Sequence, residues 1–262
     1  MPTVSGLFAV TLGLMISVAA AQAQANFEIQ VYGSDLVRPG ATMYELHLNY
    51  TAQGSRLASD GVLPTNHAMH QTIEITHGFN EWFELGSYIF MSERSPEGFK
   101  YVGNHLRPRF SIPERFHLPV GLSLSQEIGY NIVEFGPDTW TWEIRPIIDQ
   151  KVGRFYWSIN PVIGKSLRGP GAADGFDFAP NVQVNVDVTK RVNFALEYYG
   201  AFGSVAKFAP IKETEQQLFP AINLDFGDDW EFNAGVGFGL TKPTDHFIGK
   251  LIMGRRIGGT RK

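Results

Sequence analysis

The sequence predicts an all-β protein, an antiparallel transmembrane β-barrel of about twelve strands. Three observations support this fold class. Apolar residues recur at every second position through most of the chain after residue 43, which is the period of a strand with two different faces. The connections between these segments alternate between short and long, as they do in outer-membrane barrels. Aromatic residues follow most of the short connections, where an interfacial girdle requires them.

The first 25 residues have the pattern of a secretory signal peptide. The apolar run LFAVTLGLMISVAA is followed by AQAQA, which predicts cleavage after Ala23 or Ala25. The alternative, a membrane anchor, is less favoured because this run is shorter than the ~20 residues that a spanning helix needs. The chain contains no Cys, which excludes a disulfide scaffold and a lipid-bearing N-terminal cysteine. We therefore expect export to the outer membrane of a bacterium.

The next stretch, residues 26–42, reads NFEIQVYGSDLVRPGAT and precedes the first predicted strand. The sequence leaves three alternatives open for it. It forms a periplasmic lead-in, an extra strand or a small plug.

Alternation then predicts the strands of the barrel. The clearest example is FDFAPNVQVNVDV, in which Phe176, Phe178, Val182 and their alternate neighbours share one face, and Asp177 and the other polar residues share the opposite face. The twelve predicted strands form a barrel over 43–257, followed by a basic tail at 258–262, and they occupy residues 43–51, 69–79, 82–93, 104–113, 120–131, 139–151, 155–167, 176–188, 192–202, 216–226, 230–241 and 246–257.

The predicted connections fall into two groups. The tight ones are at 80–81, 153–154, 189–191 and 227–229, with a somewhat longer one after Pro113. The longer ones are at 52–68, 94–103, 132–138, 168–175 and 203–215, with the short KPTD in the same set. Short turns therefore lie at one end of the barrel with both termini, and long loops lie at the other end.

Aromatic residues predict two membrane girdles. Most of them follow tight turns, and Trp140 and Trp142 follow a long loop at the opposite end. The alternative is that aromatic residues simply favour strands. The predicted girdle residues are Trp82, Phe83, Trp140, Trp142, Phe155, Trp157, Phe194, Trp230 and Phe232.

The opposite phase of the strands predicts a charged inner face. One interpretation is a hydrated pore with a mild cation preference, in which Arg107, Arg109 and Arg145 form a basic strip against acidic walls. The other is an ionic network that fills the lumen, and the sequence does not decide between them. The inner face also includes His47, and the predicted pore-lining residues are Glu45, Glu74, Glu84, Arg107, Arg109, Glu127, Glu143, Arg145, Asp149, Asp177, Asp187, Glu197, Asp225, Glu231 and Lys250.

Other motifs favour no cofactor, metal or catalytic site. Gly235, Gly237 and Gly239 are spaced like a nucleotide-binding loop, but no helix start follows them, so we expect them to leave room inside the lumen. The stretch HAMHQTIEITH holds His67, His70 and His77, yet residues three apart in a strand lie on opposite faces.

A lipid hydrolase with a Ser-His pair is the enzyme alternative. Its candidates are Ser123, Ser125, His77 and His105, and none of them lies in a Gly-x-Ser-x-Gly elbow. We therefore expect the protein not to be an enzyme.

Five prolines oppose the barrel prediction. Pro108, Pro146, Pro161, Pro180 and Pro220 lie within predicted strands, where proline removes a ladder donor and is normally confined to edges or bulges. All five take the outward phase, so we expect bulges or strand ends at these positions.

A family resemblance rests on the stretches ITHGFNEWFELG, RPRFSIPE, TWTWEIRPII, LEYYG and FGDDWEFNAGVGFGLT. These resemble bacterial outer-membrane barrels of the transporter family associated with the meta-pathway of phenol degradation. The resemblance implies a channel or transporter for the passive passage of small solutes, including small aromatic or hydrophobic compounds. A closed structural or partner-binding barrel is the alternative.

The expected partners follow from this class of protein. They are outer-membrane lipid, small-molecule solutes, periplasmic chaperones and the barrel assembly machinery. The formal net charge of -4 gives no indication of a nucleic-acid partner. We expect the inner charges to set selectivity, and the loops 52–68 and 203–215 to form an entrance or gate.

Overall fold

The computed structural model describes residues 26–259, and the predicted signal peptide lies outside this range. The described residues contain three short 3-10 helices, Glu114–Phe116, Pro170–Ala173 and Ile211–Glu213. None of their helices is long and apolar enough to cross a membrane. The strands are β1 (Ala41–Gln53), β2 (Ala68–Asn80), β3 (Phe83–Arg94), β4 (Gly98–Ser111), β5 (Gly121–Asn131), β6 (Trp140–Val152), β7 (Phe155–Arg168), β8 (Asp177–Asp187), β9 (Val192–Gly200), β10 (Gly203–Ser204), β11 (Gln216–Leu224), β12 (Trp230–Gly239) and β13 (Phe247–Gly258).

Twelve of these strands close into an antiparallel barrel. Each wall strand pairs with the wall strands before and after it in the chain, and β1 pairs with β13 to close the ring. The exception is β10, which has two residues and adds to the start of β8. The predicted fold class is therefore confirmed, and a closed wall leaves no unpaired strand edge.

One predicted loop is wrong. Residues 94–103 were expected to form a long connection, but β4 begins at Gly98, and β3 and β4 are joined through residues 95–97 alone. The register between the two strands shifts near Phe90, so Gly103 lies opposite Phe90 while Tyr101 lies opposite Met91. Because such a bulge reverses the phase of alternation, the continuous strand read as two different segments.

The five strand prolines lie inside wall strands without shifting the register. Leu106 pairs with Ile128 and Arg109 with Ser125, so the register is the same on both sides of Pro108. Similar gaps of two or three residues in one ladder occur beside Pro146 and Pro220. The missing N–H therefore interrupts one ladder locally at these three sites. Pro161 lies opposite Pro180 in the unbroken register between β7 and β8, so the expected bulges are not found at any of the five prolines.

The two faces of the wall differ in polarity. Outward side chains form an exposed apolar belt that includes Ile73, Ile89, Leu106 and Leu196. Inward positions carry buried polar and charged groups such as Thr72, Glu74, Asn160 and Arg145. An apolar exterior on a closed barrel is the arrangement that lipid requires, because ring closure leaves no strand edge with a row of unpaired backbone groups.

Residues 26–40, called here the lumen segment, run through the inside of the barrel. Asn26 lies among the long loops and Gly40 lies at the short-turn end, directly before β1. Ile29, Val31 and Tyr32 are buried between these ends. Of the three alternatives for this stretch, the structure has a segment that occupies the lumen.

Candidate functional site: the occupied lumen

The lumen segment is fastened at the long-loop end by the side chain of Asn26. Its amide donates to Asp245 Oδ2 at 2.6 Å, and Asn49 Nδ2 of β1 donates to the Asn26 carbonyl at 2.9 Å. Asp245 also accepts from Thr65 Oγ1 at 2.6 Å. The loops 54–67 and 240–246, at the same end of the barrel, are therefore tied to the start of the segment through one carboxylate.

One side of the segment packs against apolar residues of the wall. Ile29 and Val31 form a cluster with Tyr199, Phe219 and Ile248. Phe27, on the same side of the extended chain, packs on a second cluster formed by Tyr88, Phe90 and Val102. Burial of these side chains is the apolar contribution to holding the segment.

Gly237 leaves the space that the cluster of Ile29, Val31 and Phe219 needs. A Cβ placed on Gly237 would lie 2.1 Å from the Phe219 ring, so a side chain there would exclude the ring from its position. As expected, this glycine leaves space inside the lumen. The ring of Phe219 occupies that space and packs on the lumen segment.

Polar wall groups bind the backbone of the segment along its length. Because the segment joins no strand ladder, its peptide groups need these side-chain partners. The bonds run from Thr72 Oγ1 to Phe27 O (2.6 Å), Lys250 Nζ to Ile29 O (3.2 Å), Gln183 Nε2 to Val31 O (3.1 Å), Ser158 Oγ to Tyr32 O (2.6 Å), Arg109 Nη1 to Gly33 O (3.1 Å), Arg109 Nη2 to Asp35 O (2.7 Å) and Val37 N to Glu84 Oε2 (2.7 Å).

Tyr32 is the central anchor of the segment. The guanidinium carbons of Arg107, Arg109 and Arg145 lie 4.7, 5.5 and 4.8 Å from the centre of its ring. Its hydroxyl donates to the Glu28 carboxylate, and its backbone N–H donates to Asn160 Oδ1 at 2.9 Å. The three predicted basic residues do come together, and an aromatic ring of the chain itself occupies the space between them.

A network of ion pairs fills the space around Tyr32. Arg107 Nη2 lies 2.5 Å from Glu74 Oε1, Arg109 Nε lies 2.8 Å from Glu84 Oε1, and Arg145 Nε lies 2.7 Å from Glu143 Oε1. On other strands His105 pairs with Glu127, and Lys250 pairs with Glu197. Because most of these groups are buried, removing one partner would leave an uncompensated charge in a water-poor interior.

The short-turn end of the lumen is open. A cavity of about 1680 Å³ lies there, lined by the second half of the lumen segment, by Glu45 and Asp149 of the wall, and by turn residues such as Asn80 and Arg115. Arg38 marks the exit of the segment, because its Nη2 lies 2.7 Å from Asp229 Oδ1. The lumen is therefore accessible from the short-turn end and occupied between Asn26 and Val37.

The predicted pore-lining residues occupy three kinds of position. Glu143, Asp177, Asp187 and Glu231 are half-buried, and Asp225 lies in the turn after β11, where it accepts from the Gly227 N–H at 2.7 Å. The remaining ten are buried inside the barrel: Glu45, Glu74, Glu84, Arg107, Arg109, Glu127, Arg145, Asp149, Glu197 and Lys250. A role in lining a conducting pore stays a prediction for all fifteen.

The predicted girdle residues face outward. Trp82 and Phe83 stack with Phe110 on the outside of the wall near the short turns. Trp140 packs on Tyr130 at the opposite end. Trp82, Trp140, Phe155, Phe194 and Trp230 are exposed, whereas the other four are half-buried by their neighbours.

The histidine and serine candidates do not converge. His70 points inward and packs on Phe27, whereas His77 binds Thr42 on the outer face and His67 lies before β2 in the loop. Ser123 and Ser125 are buried on β5, and within residues 26–259 neither is hydrogen-bonded to a histidine. The absence of enzymatic activity stays a prediction.

The sequence patterns missed the residues that hold the segment. Ser158, Asn160 and Gln183 lie on the inward phase of β7 and β8, but uncharged polar residues on that phase carried no specific signal. The available signal was the alternation of Phe27, Ile29 and Val31, which stops at Gly33.

Comparisons with known proteins identify the fold. No family model matches the chain, so the resemblance to the meta-pathway transporter family is not supported. No curated protein matches it either.

The solved structures to which the chain is similar include two porins. It aligns with the NanC porin at 8% identity and a TM-score of 0.51, covering 80% of this chain and 97% of the porin. It aligns with the KdgM porin at 8% identity and a TM-score of 0.50, covering 83% and 99%. At this identity the likeness establishes the fold alone: this chain folds as a porin-like antiparallel β-barrel.

Proposed function

We propose that the protein is an outer-membrane channel for the passive passage of small solutes, closed in this conformation by its own lumen segment. One observation carries the proposal. A wall with a lipid-compatible exterior and a charged interior encloses a segment that belongs to no strand, and a cavity of about 1680 Å³ leads up to it.

The way the segment is held supports a displaceable closure. Its backbone is bound mainly by single polar side chains of the wall, such as Gln183 and Thr72. When the segment leaves, water can replace each of these bonds, so the net cost is about 0.5–1.5 kcal/mol for a bond to a neutral side chain and about 1.5–3 kcal/mol for a bond to Lys250, Arg109 or Glu84. A wall that carries Glu and Arg at these positions is compatible with water once the segment is gone.

The surroundings of Tyr32 support a preference for small aromatic solutes, above all those with an acidic group. Three guanidinium groups surround a flat space that fits one aromatic ring. They would attract the face of a ring by the interaction that now holds Tyr32, and an attached anion by charge-assisted hydrogen bonds.

A disulfide lock tests the proposal directly. A Cβ built on Gly121 would lie 3.1 Å from Ser34 Cβ of the segment, slightly shorter than the usual ~3.5–4.5 Å of a disulfide, and the Asp149 carboxylate would have to move to admit it. Because the chain has no native Cys, the pair Ser34→Cys with Gly121→Cys would form one defined bond. Single-channel currents of the refolded protein are then recorded in a planar bilayer before and after reduction.

We expect current steps from the reduced protein, silence after oxidation, and recovery when reductant is added again. Ser34→Cys alone is the matched control, since it loses the hydroxyl bond of Ser34 to Asp149, keeps the backbone bond to the same carboxylate and forms no lock. Equal currents in both redox states would exclude the segment as the closure. Silence of the folded protein in every state would favour the closed structural barrel, whose supporting observation is the paired ionic network.

A further inference from the structure

One imidazole and two carboxylate side chains lie together on the inner face of β1 and β2. Glu45 of β1 lies directly opposite Glu74 of β2 in the strand register, and His47 lies opposite Thr72, one inward position further along. His47 is 0% exposed, Glu74 1% and Glu45 9%. Two adjacent rigid strands therefore hold a histidine and two carboxylates inside the wall.

The distances between their ligand atoms suit a shared cation. One nitrogen or oxygen atom from each residue lies within 4.8 Å of the other two. His47 Nε2 is 3.5 Å from Glu74 Oε2, which is long for a hydrogen bond. Two ligands at about 2.0–2.1 Å from a tetrahedral zinc ion lie roughly 3.4 Å apart, close to the separation observed here.

Each of the three residues also presents a buried atom without a hydrogen bond. These atoms are both ring nitrogens of His47, Oε1 of Glu45 and Oε2 of Glu74. Burying such groups without partners is unfavourable, and more so for a charged group. A buried histidine with neither nitrogen satisfied, beside two unsatisfied carboxylate oxygens, is a set that a cation would complete.

Among the described residues, the arginines nearby pair with other carboxylates and leave Glu45 without an ion-pair partner. Arg107 pairs with Glu74 through Oε1, so Oε2 of that carboxylate is left for another ligand. Arg109 pairs with Glu84. In the part of the chain that the structure describes, Glu45 forms no ion pair, and with Glu74 it lines the cavity that opens at the short-turn end. A cation from solution can therefore reach the site.

We propose that Glu45, His47 and Glu74 bind one divalent transition-metal cation, of which Zn²⁺ is the best fit. Imidazole together with carboxylates favours such ions over Ca²⁺ and Mg²⁺, which prefer oxygen ligands alone. Three protein ligands leave the fourth tetrahedral position to water or a solute from the cavity. The site lies in the wall and does not depend on the lumen segment moving.

Metal binding to the refolded, untagged protein tests the site. Zn²⁺ bound after dialysis is measured by elemental analysis, and Co²⁺ is titrated while its visible absorption is followed. We expect one equivalent of Zn²⁺, and a loss of at least tenfold in affinity for Glu45→Gln and for His47→Gln. His70→Gln is the matched control, since His70 is a buried, inward histidine of β2 whose ring nitrogens are also unpartnered.

The proposal is overturned if the wild-type protein retains no Zn²⁺, or if the two variants bind as tightly as wild type. It is equally overturned if His70→Gln loses as much affinity as His47→Gln. A heat-shift gel establishes folding for each variant. Should a variant not fold, the wild-type Co²⁺ spectrum decides, because binding without the absorption of a low-symmetry nitrogen and oxygen site would exclude these ligands.

Discussion

Replacing Tyr32 by alanine should open the barrel. The side chain is 6% exposed, and truncating a buried aromatic residue costs about 3–5 kcal/mol. The three guanidinium contacts, each worth about 0.5–2 kcal/mol, are part of this cost. Tyr32 belongs to the lumen segment and to no wall strand, so the penalty falls on the seated segment and leaves the barrel wall intact.

The expected size of the effect follows from that free energy. Since about 1.4 kcal/mol corresponds to a factor of ten, the ratio of open to closed barrels should rise roughly a hundredfold to a few thousandfold. Tyr32→Phe keeps the ring and loses the hydroxyl contacts with Glu28 and Tyr88, so about 1 kcal/mol and roughly a fivefold change are expected.

The assay is the open probability of single channels in a planar bilayer, after a heat-shift gel has shown that each variant is folded. Asp35→Ala is the control, because this side chain is exposed and only its backbone carbonyl is bound to the wall. An unchanged open probability for Tyr32→Ala would refute the view that Tyr32 holds the closure. The same increase in Asp35→Ala would show that any change in the segment suffices.

Three further predictions concern the wall. Lys250→Ala should lower the free energy of unfolding in guanidinium by about 3–5 kcal/mol because it leaves Glu197 buried without its cation, and Lys250→Met combined with Glu197→Gln should restore most of it. Gly237→Ala should cost about 1–3 kcal/mol by overpacking, whereas Gly249→Ala, with nothing within 4 Å of its Cβ, should cost less than 0.5 kcal/mol. In a barrel opened by removal of its closure, Arg145→Ala should shift the reversal potential in a salt gradient toward cations, and an unaltered potential would exclude Arg145 from the selectivity of the pore.

Strand positions were predictable because side chains alternate between the lipid-facing and the lumen-facing side along each wall strand. In β8 the lipid-facing and lumen-facing phases never exchange, and the predicted strand 176–188 differs from Asp177–Asp187 by one residue at each end. Prediction failed between β3 and β4, where a bulge near Phe90 exchanges the phases. Alternation reports the face of a residue only while the register is continuous.

The occupied lumen could not be predicted from the wall pattern. A charged inward residue gives the same sequence pattern whether its side chain contacts water, another side chain or a peptide carbonyl. Arg109 is an example, since it binds two carbonyl groups of the lumen segment and a carboxylate of β3. The occupation of a lumen depends on contacts between residues far apart in the chain. Asp35 and Arg109, for example, are 74 positions apart, and a single sequence does not show that they meet.

The path of the lumen segment also constrains how the molecule can be assembled. All wall pairings except β1 with β13 join successive wall strands, so they can form locally, while that seam brings together the two ends of the wall and carries the largest entropic cost. The segment is continuous with β1 at this seam. Its peptide groups have their partners only inside the ring, so it is most simply enclosed as the seam closes. Closure of the wall and placement of the lumen segment are therefore expected to be one event. Each molecule would enter the membrane with the segment already in its lumen.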